Sequence, residues 1–448
     1  MNLWGRRIGA VSIEDDSHVA VVQYEPSFAA SGIQVSPITM PLRPEPYSFG
    51  SLSRESFRGL PGLLADSLPD RFGNLLIDAW LASQGRSPET FNAVERLCYI
   101  GNRGMGALEF APVLGPRSSR SKDIQIEALV RLASEVLTSR TGFVASLDEA
   151  HKAAAMRDIL LVGTSAGGAR AKAVIAYNPK TREVRSGQVE AGPGFEYWIL
   201  KFDGVTGNKD RELEDPQGFC AIEFAYSRMA RDAGLVMTEC RLLEEGGRRH
   251  FMTKRFDRLG GGAKVHIQSL AALAHYDFNQ AGTHSYEEAF WVIRQLQLGM
   301  AAVEQQFRRM AFNIVARNQD DHVKNIAFLM DRSGHWTPAP AFDVTYAYNP
   351  QGDWTRQHQM SMNGKLDGFK LEDFRACGQV ASMKRGRADL IVGEVLDAVA
   401  KWRSFAAEAQ VDEAQAEQIG RTHRLHLLKP GGSNPGSTVR AGARPTKR

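Results

Sequence analysis

Hydrophobic and polar positions divide the chain into a strand-bearing first part and a helix-bearing last part. Arg7 to Ile13 and His18 to Tyr24 are β-rich and flank the turn-like Glu14-Asp15-Asp16-Ser17, which predicts two short strands. The stretch FRGLPGLLADSLPDRFGNLLIDAWLASQG, from Phe57 to Gly85, turns helical. Leu75, Leu76, Ala79 and Leu81 give a rough amphipathic pattern and Gly85 closes it. Arg103-Gly104-Met105-Gly106-Ala107 reads as a loop. Pro112 to Lys122, rich in Pro, Ser and Arg, reads as a linker. The first unit is expected to span 1–115.

A second unit is expected over 123–258. It opens with a helix from Ile124 to Leu137 and continues through the Gly-rich turn GTSAGGARAK at 163–172. Strands are predicted at AVIAY (173–177), YWILKF (197–202) and HFMTKRFDR (250–258), and a helix at 218–235 ending at Gly234. From 264 to 428 the pattern is mainly helical. Phe307, Met310, Ile314 and Val315 lie on one stripe. Residues 429–448 are rich in Pro, Gly and Ser and are expected to be disordered.

Composition changes this picture little. The 448 residues suffice for two or three packed units, and 43% hydrophobic with 24% charged residues is ordinary for a soluble protein. The net charge of +4 suggests nucleic acid until it is located. The last twenty residues hold five Lys or Arg and no acid, so without them the rest of the chain is near −1. The tail reads as a solvated basic end. Cys98, Cys220, Cys240 and Cys377 form no C-x-x-C pair, so reduced thiols are expected. No stretch approaches the ~18 apolar residues of a membrane span, and the N-terminus has no secretion signal. A cytoplasmic protein with no membrane contact is expected.

The chemistry concentrates in Asn318-Gln319-Asp320-Asp321-His322-Val323-Lys324-Asn325. An Asp followed five positions later by an Asn is the spacing of a kinase catalytic loop. The Asp must accept the proton of a substrate hydroxyl while the Asn reaches a metal ion on the same phosphates. One short loop can aim both at one centre. His322 and Lys324 in that loop are candidate nucleotide contacts. Eighteen residues beyond Asn325 comes Asp343, in Phe342-Asp343-Val344, a candidate second ligand for the hard cation Mg²⁺. Lys201 sits inside the apolar strand EYWILKFDG, where a lysine needs a partner. Glu223 on the next helix is the candidate carboxylate. Upstream, Ser165, Ala166, Gly167 and Gly168 could cradle phosphates with free backbone N–H groups, although they match neither G-x-G-x-x-G nor Walker A.

Each feature also has a plainer reading. Asp320-Asp321-His322 could cap a helix, Lys201 could be a snorkelling strand-end lysine, Glu223 an exposed helix acid and the Gly-rich loop a hairpin turn. The five elements nevertheless occur in kinase order, with strands before and helices after.

On FRGLPGLLADSLPDRFGN, GTSAGGARAK, ILKFDG, KRFDR, NQDDHVKNIAF and PAFDVTYAYNP the chain resembles the HipA family of toxin–antitoxin kinases, over about residues 1–425. The resemblance implies an α+β, two-lobed protein-kinase-like fold with an extra N-terminal β-rich subdomain and a mainly helical C-terminal lobe. It also implies ATP and Mg²⁺ as cofactors, Asp320 as base, Asn325 and Asp343 as metal ligands and Lys201 on ATP. Ser165 would be a site of inhibitory autophosphorylation. The implied partners are a protein substrate such as an aminoacyl-tRNA synthetase and a helix-turn-helix antitoxin, with DNA touched only through that antitoxin. SAGGARAK and HIQSLAALAHYDFNQ are similar to a divergent branch of the family. A small-molecule kinase and a non-catalytic pseudokinase are the alternative readings.

Overall fold

A computed structural model of the chain describes residues 1–13, 18–69, 71–115, 126–138, 159–160, 163, 170–205, 209–210, 213–214 and 218–428. The turn at 14–17, the linker at 116–125, the phosphate-cradle candidates Ser165, Ala166, Gly167 and Gly168, and the basic tail lie outside the described residues.

The fold is α+β. Near the N-terminus β1 (Gly9–Ile13) pairs antiparallel with β2 (Ala20–Tyr24), Gly9 opposite Tyr24 and Ile13 opposite Ala20. Ala20, Val22 and Tyr24 are buried while Val21 and Gln23 face out, the period-two pattern of a half-buried strand. The second strand starts at Ala20 rather than His18, because His18 takes a φ of +52°, outside the extended region. The helical stretch that follows is broken into single turns at Arg54–Phe57 and Gly62–Ala65, then continues as α1 (Arg71–Ser83). Left-handed Arg58 and Gly59 end the first turn, and Pro61 precedes the second. Next comes α2 (Ala93–Ile100). Asn92 and Glu95 each accept from the other's backbone N–H at its start, at 3.0 and 2.9 Å.

The central sheet follows α3 (Ile126–Thr138), which replaces the expected 124–137 helix. Its strands are β3 (Lys172–Tyr177), β4 (Val184–Ser186), β5 (Glu196–Lys201), β6 (Cys240–Glu245) and β7 (Arg248–Lys254). They lie in the order β6-β7-β5-β3-β4, all antiparallel. Alternation assigns the two faces. Ala173, Ile175, Trp198, Leu200 and Met252 share one core with Phe72 and Leu76 of α1 and Ile126, Leu129 and Val130 of α3. The opposite face carries Lys172, Lys201 and Phe251 toward α4 (Phe219–Asp232). The strand expected at 250–258 stops at Lys254. Beyond it Asp257 is buried and accepts from both Arg255 and Arg258, which folds the chain into a turn.

The remainder is mainly helical: α5 (Tyr286–Gln295), α6 (Gly299–Val315), α7 (Leu371–Val380), α8 (Arg387–Val399), α9 (Trp402–Glu408) and α10 (Glu413–Thr422). Phe307, Met310, Ile314 and Val315 of α6 are fully buried, as their shared stripe requires. This region also holds a three-stranded antiparallel sheet of His266–Ser269, Ala327–Met330 and Trp336–Pro338. Strands this short carry too little period to be read from sequence. No helix among the described residues is long and apolar enough to cross a membrane.

Candidate active site

The central sheet delivers a cation to the carboxylates. Lys201 ends β5, and its Nζ bonds Glu223 Oε1 of α4 at 2.6 Å and Asp343 Oδ1 at 2.5 Å. Asp343 reaches it from a backbone φ of +50°, a left-handed conformation that Asp tolerates better than most residues. Burial alone would lower the Lys201 ammonium. The Asp343 and Glu223 carboxylates outweigh it and hold the group above its ordinary range. For Asp343 burial would raise the pKa, but Lys201 and then Lys172 hold it well below the usual carboxylate range. Glu223 goes the other way, because its burial outweighs the pull of Lys201. One ammonium cannot compensate two carboxylates equally. The firm negative charge belongs to Asp343, whose side chain is 31% exposed, rather than to Glu223 at 2%. Glu223 Oε2 is buried with no hydrogen-bond partner among the described residues.

The second element is the loop after α6. Asn325 Nδ2 donates to the Asp320 backbone carbonyl at 2.9 Å. That bond commits the amide nitrogen and turns the amide oxygen into the acceptor a hard cation takes. Asp320 is half-buried, and its Oδ1 accepts from the Trp354 indole N–H at 2.7 Å. Asp321 is fully buried and does different work. It accepts from Tyr286 Oη at 2.5 Å, from His358 Nδ1 at 2.7 Å and from the Gln359 N–H at 2.8 Å. Burial would raise its carboxyl, but these donors hold it below its ordinary value.

Arg309 of α6 joins the two halves. Its Nη2 donates to the Asn325 carbonyl and, at 3.0 Å, to the Phe342 carbonyl. One guanidinium therefore fixes both residues expected to bind metal, at the residue itself and at the position before Asp343. Burial pushes the Arg309 pKa down to about 10, which leaves it charged at neutral pH.

Lys201 meets Glu223, the carboxylate expected for it, and also Asp343, which was expected only as a metal ligand; Asp320 and Asn325 lie on one loop. His322 Nε2 lies 3.8 Å from Asp320 Oδ1, beyond hydrogen-bond length. Lys324 packs its Nζ over the Phe278 ring at 4.5 Å. Sequence reading missed four residues. Lys172 pairs directly across the sheet with Lys201 and is buried, so its charge also acts on Asp343. A lysine opening the apolar run AVIAY was a legible signal for it. Arg309 was legible as a cation inside an apolar helix stripe. Trp354 and His358 had no local signal, because only the chain's return brings them to the loop. Arg170, the residue after the undescribed 164–169, stacks its guanidinium 3.5 Å above the Phe219 ring at the start of α4.

A family model described as the HipA N-terminal domain matches residues 1–111, and one described as the HipA-like C-terminal domain matches residues 164–403. No curated protein matches the chain. Among solved structures, the toxin–antitoxin complex of HipA, HipB and operator DNA from Shewanella oneidensis MR-1 superposes with a TM-score of 0.65 at 19% identity, over 95% of each chain. At that identity the likeness is one of fold. The proinflammatory kinase CtkA of Helicobacter pylori matches with a TM-score of 0.36 at 12% identity, over 58% of this chain and 91% of that one. With both family models matched in chain order and most of its length covered, the chain belongs to the HipA family.

Proposed function

We propose that this protein is an ATP- and Mg²⁺-dependent serine/threonine protein kinase acting as the toxin of a toxin–antitoxin pair. The observation that carries the reading is the convergence of Lys201, Glu223 and Asp343 in one ion cluster, tied through Arg309 to the loop of Asp320 and Asn325. The donor set fits the cofactor. Asn325 and Asp343 offer an amide oxygen and an ionised carboxylate, the hard ligands Mg²⁺ prefers, and Lys201 offers a buried ammonium for phosphate oxygens. Bound Mg²⁺ would neutralise charge on the phosphates.

The chain's own residues then position and accept. The Asp320 carboxylate takes the proton of a substrate hydroxyl. The hydroxyl oxygen bonds the γ-phosphorus, the bond from that phosphorus to the β–γ bridging oxygen breaks, and ADP leaves with the electron pair. Catalysis of this kind rests on positioning and charge neutralisation. Lys201 is held for the task by Glu223, and Asp320 and Asn325 share the loop fixed by Asp321.

Under this reading Ser165 is the autophosphorylation site. A phosphate there would bring nearly two negative charges to the phosphate cradle and inhibit the enzyme. A helix-turn-helix antitoxin is the expected partner and DNA is reached only through it. A component of translation, such as an aminoacyl-tRNA synthetase, is the expected protein substrate.

The test is intact-protein mass after incubation with Mg²⁺-ATP, for wild type, Asp320→Ala and Ser165→Ala. Wild type should gain one phosphate and both variants none. Transfer by a folded Asp320→Ala protein would remove Asp320 as base. A gain that survives Ser165→Ala would keep the kinase and move the modified residue. No gain and no ATP binding would support a pseudokinase.

A further inference from the structure

We propose that Trp354 is a positioning residue for phosphoryl transfer, its indole N–H holding the Asp320 carboxylate in the orientation that meets the substrate hydroxyl. This inference rests on the reading of Asp320 as the base. The two residues are 34 positions apart, yet Trp354 Nε1 donates to Asp320 Oδ1 at 2.7 Å, the length of a charge-assisted bond. The Asp320 side chain is 28% exposed, and a carboxylate on a short stem turns easily about its terminal torsion. An indole is well suited to stop that rotation. It is a donor only, so it can hold a carboxylate but cannot compete with it for the substrate proton.

The segment that carries Trp354 is itself fixed. The Gly352 N–H bonds the Asn349 carbonyl at 3.1 Å, the Gln351 N–H bonds Asn349 Oδ1 at 3.1 Å, and Gln359 Nε2 donates to the Trp354 carbonyl. A few residues on, the same segment grips the neighbouring carboxylate, since His358 Nδ1 and the Gln359 N–H both donate to Asp321. His358 Nε2 in turn accepts from Arg424 Nη1 at 2.9 Å, so the ring is a neutral imidazole with a fixed tautomer. Its lowered pKa, caused by burial, agrees. Two adjacent carboxylates on the catalytic loop are therefore held by one returning segment. The grip on buried Asp321 sets the register, and Trp354 arrives at Asp320 as a consequence. An indole that merely filled space would need no aligned N–H and no second anchor on the next residue.

The experiment has two arms. In ¹⁵N-labelled full-length protein, the indole cross-peak missing from Trp354→Phe identifies Trp354. That peak should move in Asp320→Ala. In Mg²⁺-ATP, Trp354→Phe should transfer phosphate into the chain about ten- to a hundred-fold more slowly at saturating ATP, with the half-saturating ATP concentration unchanged. A purely structural tryptophan would lower stability and leave the rate at saturating ATP unchanged.

An indole peak unmoved by Asp320→Ala would overturn the contact whatever the activity. A Trp354→Phe protein with the wild-type rate at saturating ATP would overturn the positioning role and leave Asp320 as base. Transfer by Asp320→Ala would sink the base assignment, and this inference with it.

Discussion

Lys201 serves two carboxylates with one ammonium, and the asymmetry between them has consequences. Removing the cation leaves Asp343 and Glu223 as like neighbours, with the more distant charges of Lys172 and Arg170 acting on them. Lys201→Met should therefore abolish transfer and also destabilise the protein by roughly 3–5 kcal/mol, the cost of breaking a buried ion pair from one side. Adding Glu223→Gln should recover part of that loss, because the buried partner then carries no charge to strand. Urea denaturation of the single and double variants checks this. Equal midpoints would mean that Glu223 is already neutral in the folded protein. Asp343→Asn makes a separable prediction. It keeps the shape but removes the ligand charge, so the Mg²⁺ concentration giving half-maximal transfer should rise, while thermal stability changes little beside the Lys201 variant.

At the scale of elements, the helices and strands matter for what they hold apart or together. Helix α6 supplies an apolar stripe to the core and, from the same helix, the guanidinium of Arg309 that bonds the Asn325 and Phe342 carbonyls. Arg309→Met fills similar space and donates nothing. It should leave two partly buried carbonyls short of a donor, at about 1 kcal/mol each, and lower the transfer rate through misplaced ligands. Comparing denaturation midpoints with Mg²⁺-dependent rates separates the two effects. The single turn Gly62–Ala65 depends on close approach. A Cβ at Gly62 would stand 2.2 Å from the Ala272 carbonyl oxygen, which is backbone and cannot swing away. Gly62→Ala should cost about 1–3 kcal/mol, and an unchanged denaturation midpoint would contradict that contact.

Across the whole molecule, a buried charge cluster joins the N-terminal unit to the central sheet. Asp257, fully buried, accepts from Arg255, from Arg258 and, at 2.7 Å, from the Gly106 N–H of the N-terminal unit. Arg258 continues to the Gly104 and Gly106 carbonyls, both at 3.0 Å. The KRFDR turn that follows β7 is thus a joint. Its Phe256 ring lies 5.7 Å from Phe342, one residue before Asp343. Buried histidines set a global pH response. Burial depresses His250 and His266 to about 4, His423 to about 3, and His358 in the same direction, from 6.5. Below pH 6.5 the unfolded chain takes up protons that the folded chain refuses. The stability they contribute is therefore complete above 6.5 and lost as the pH falls toward 4. The loss is on the order of 1 kcal/mol per histidine per pH unit within that window. Denaturation midpoints at pH 7.5 and 5.5 should differ markedly, and equal midpoints would show that these rings are accessible to protons when folded.

Sequence alone determined what depends on local order and spacing. Asp320 and Asn325 lie five apart on one loop, and that spacing is meaningful before any fold is known. A lysine in the apolar run YWILKF demands a partner because its burial is costly. The period-two run Ala20–Tyr24 and the α6 stripe were legible because each pattern repeats the geometry of its element. Only tertiary structure decided how distant segments meet. It brought Asp343 to Lys201 beside the Glu223 that sequence had offered, and it placed Lys172 opposite Lys201 across two strands. It bound Asp320 and Asp321 to a segment more than thirty residues on. Such contacts leave no periodic trace. They arise where chain return and burial, not neighbouring sequence, force a charged group to find its counterpart.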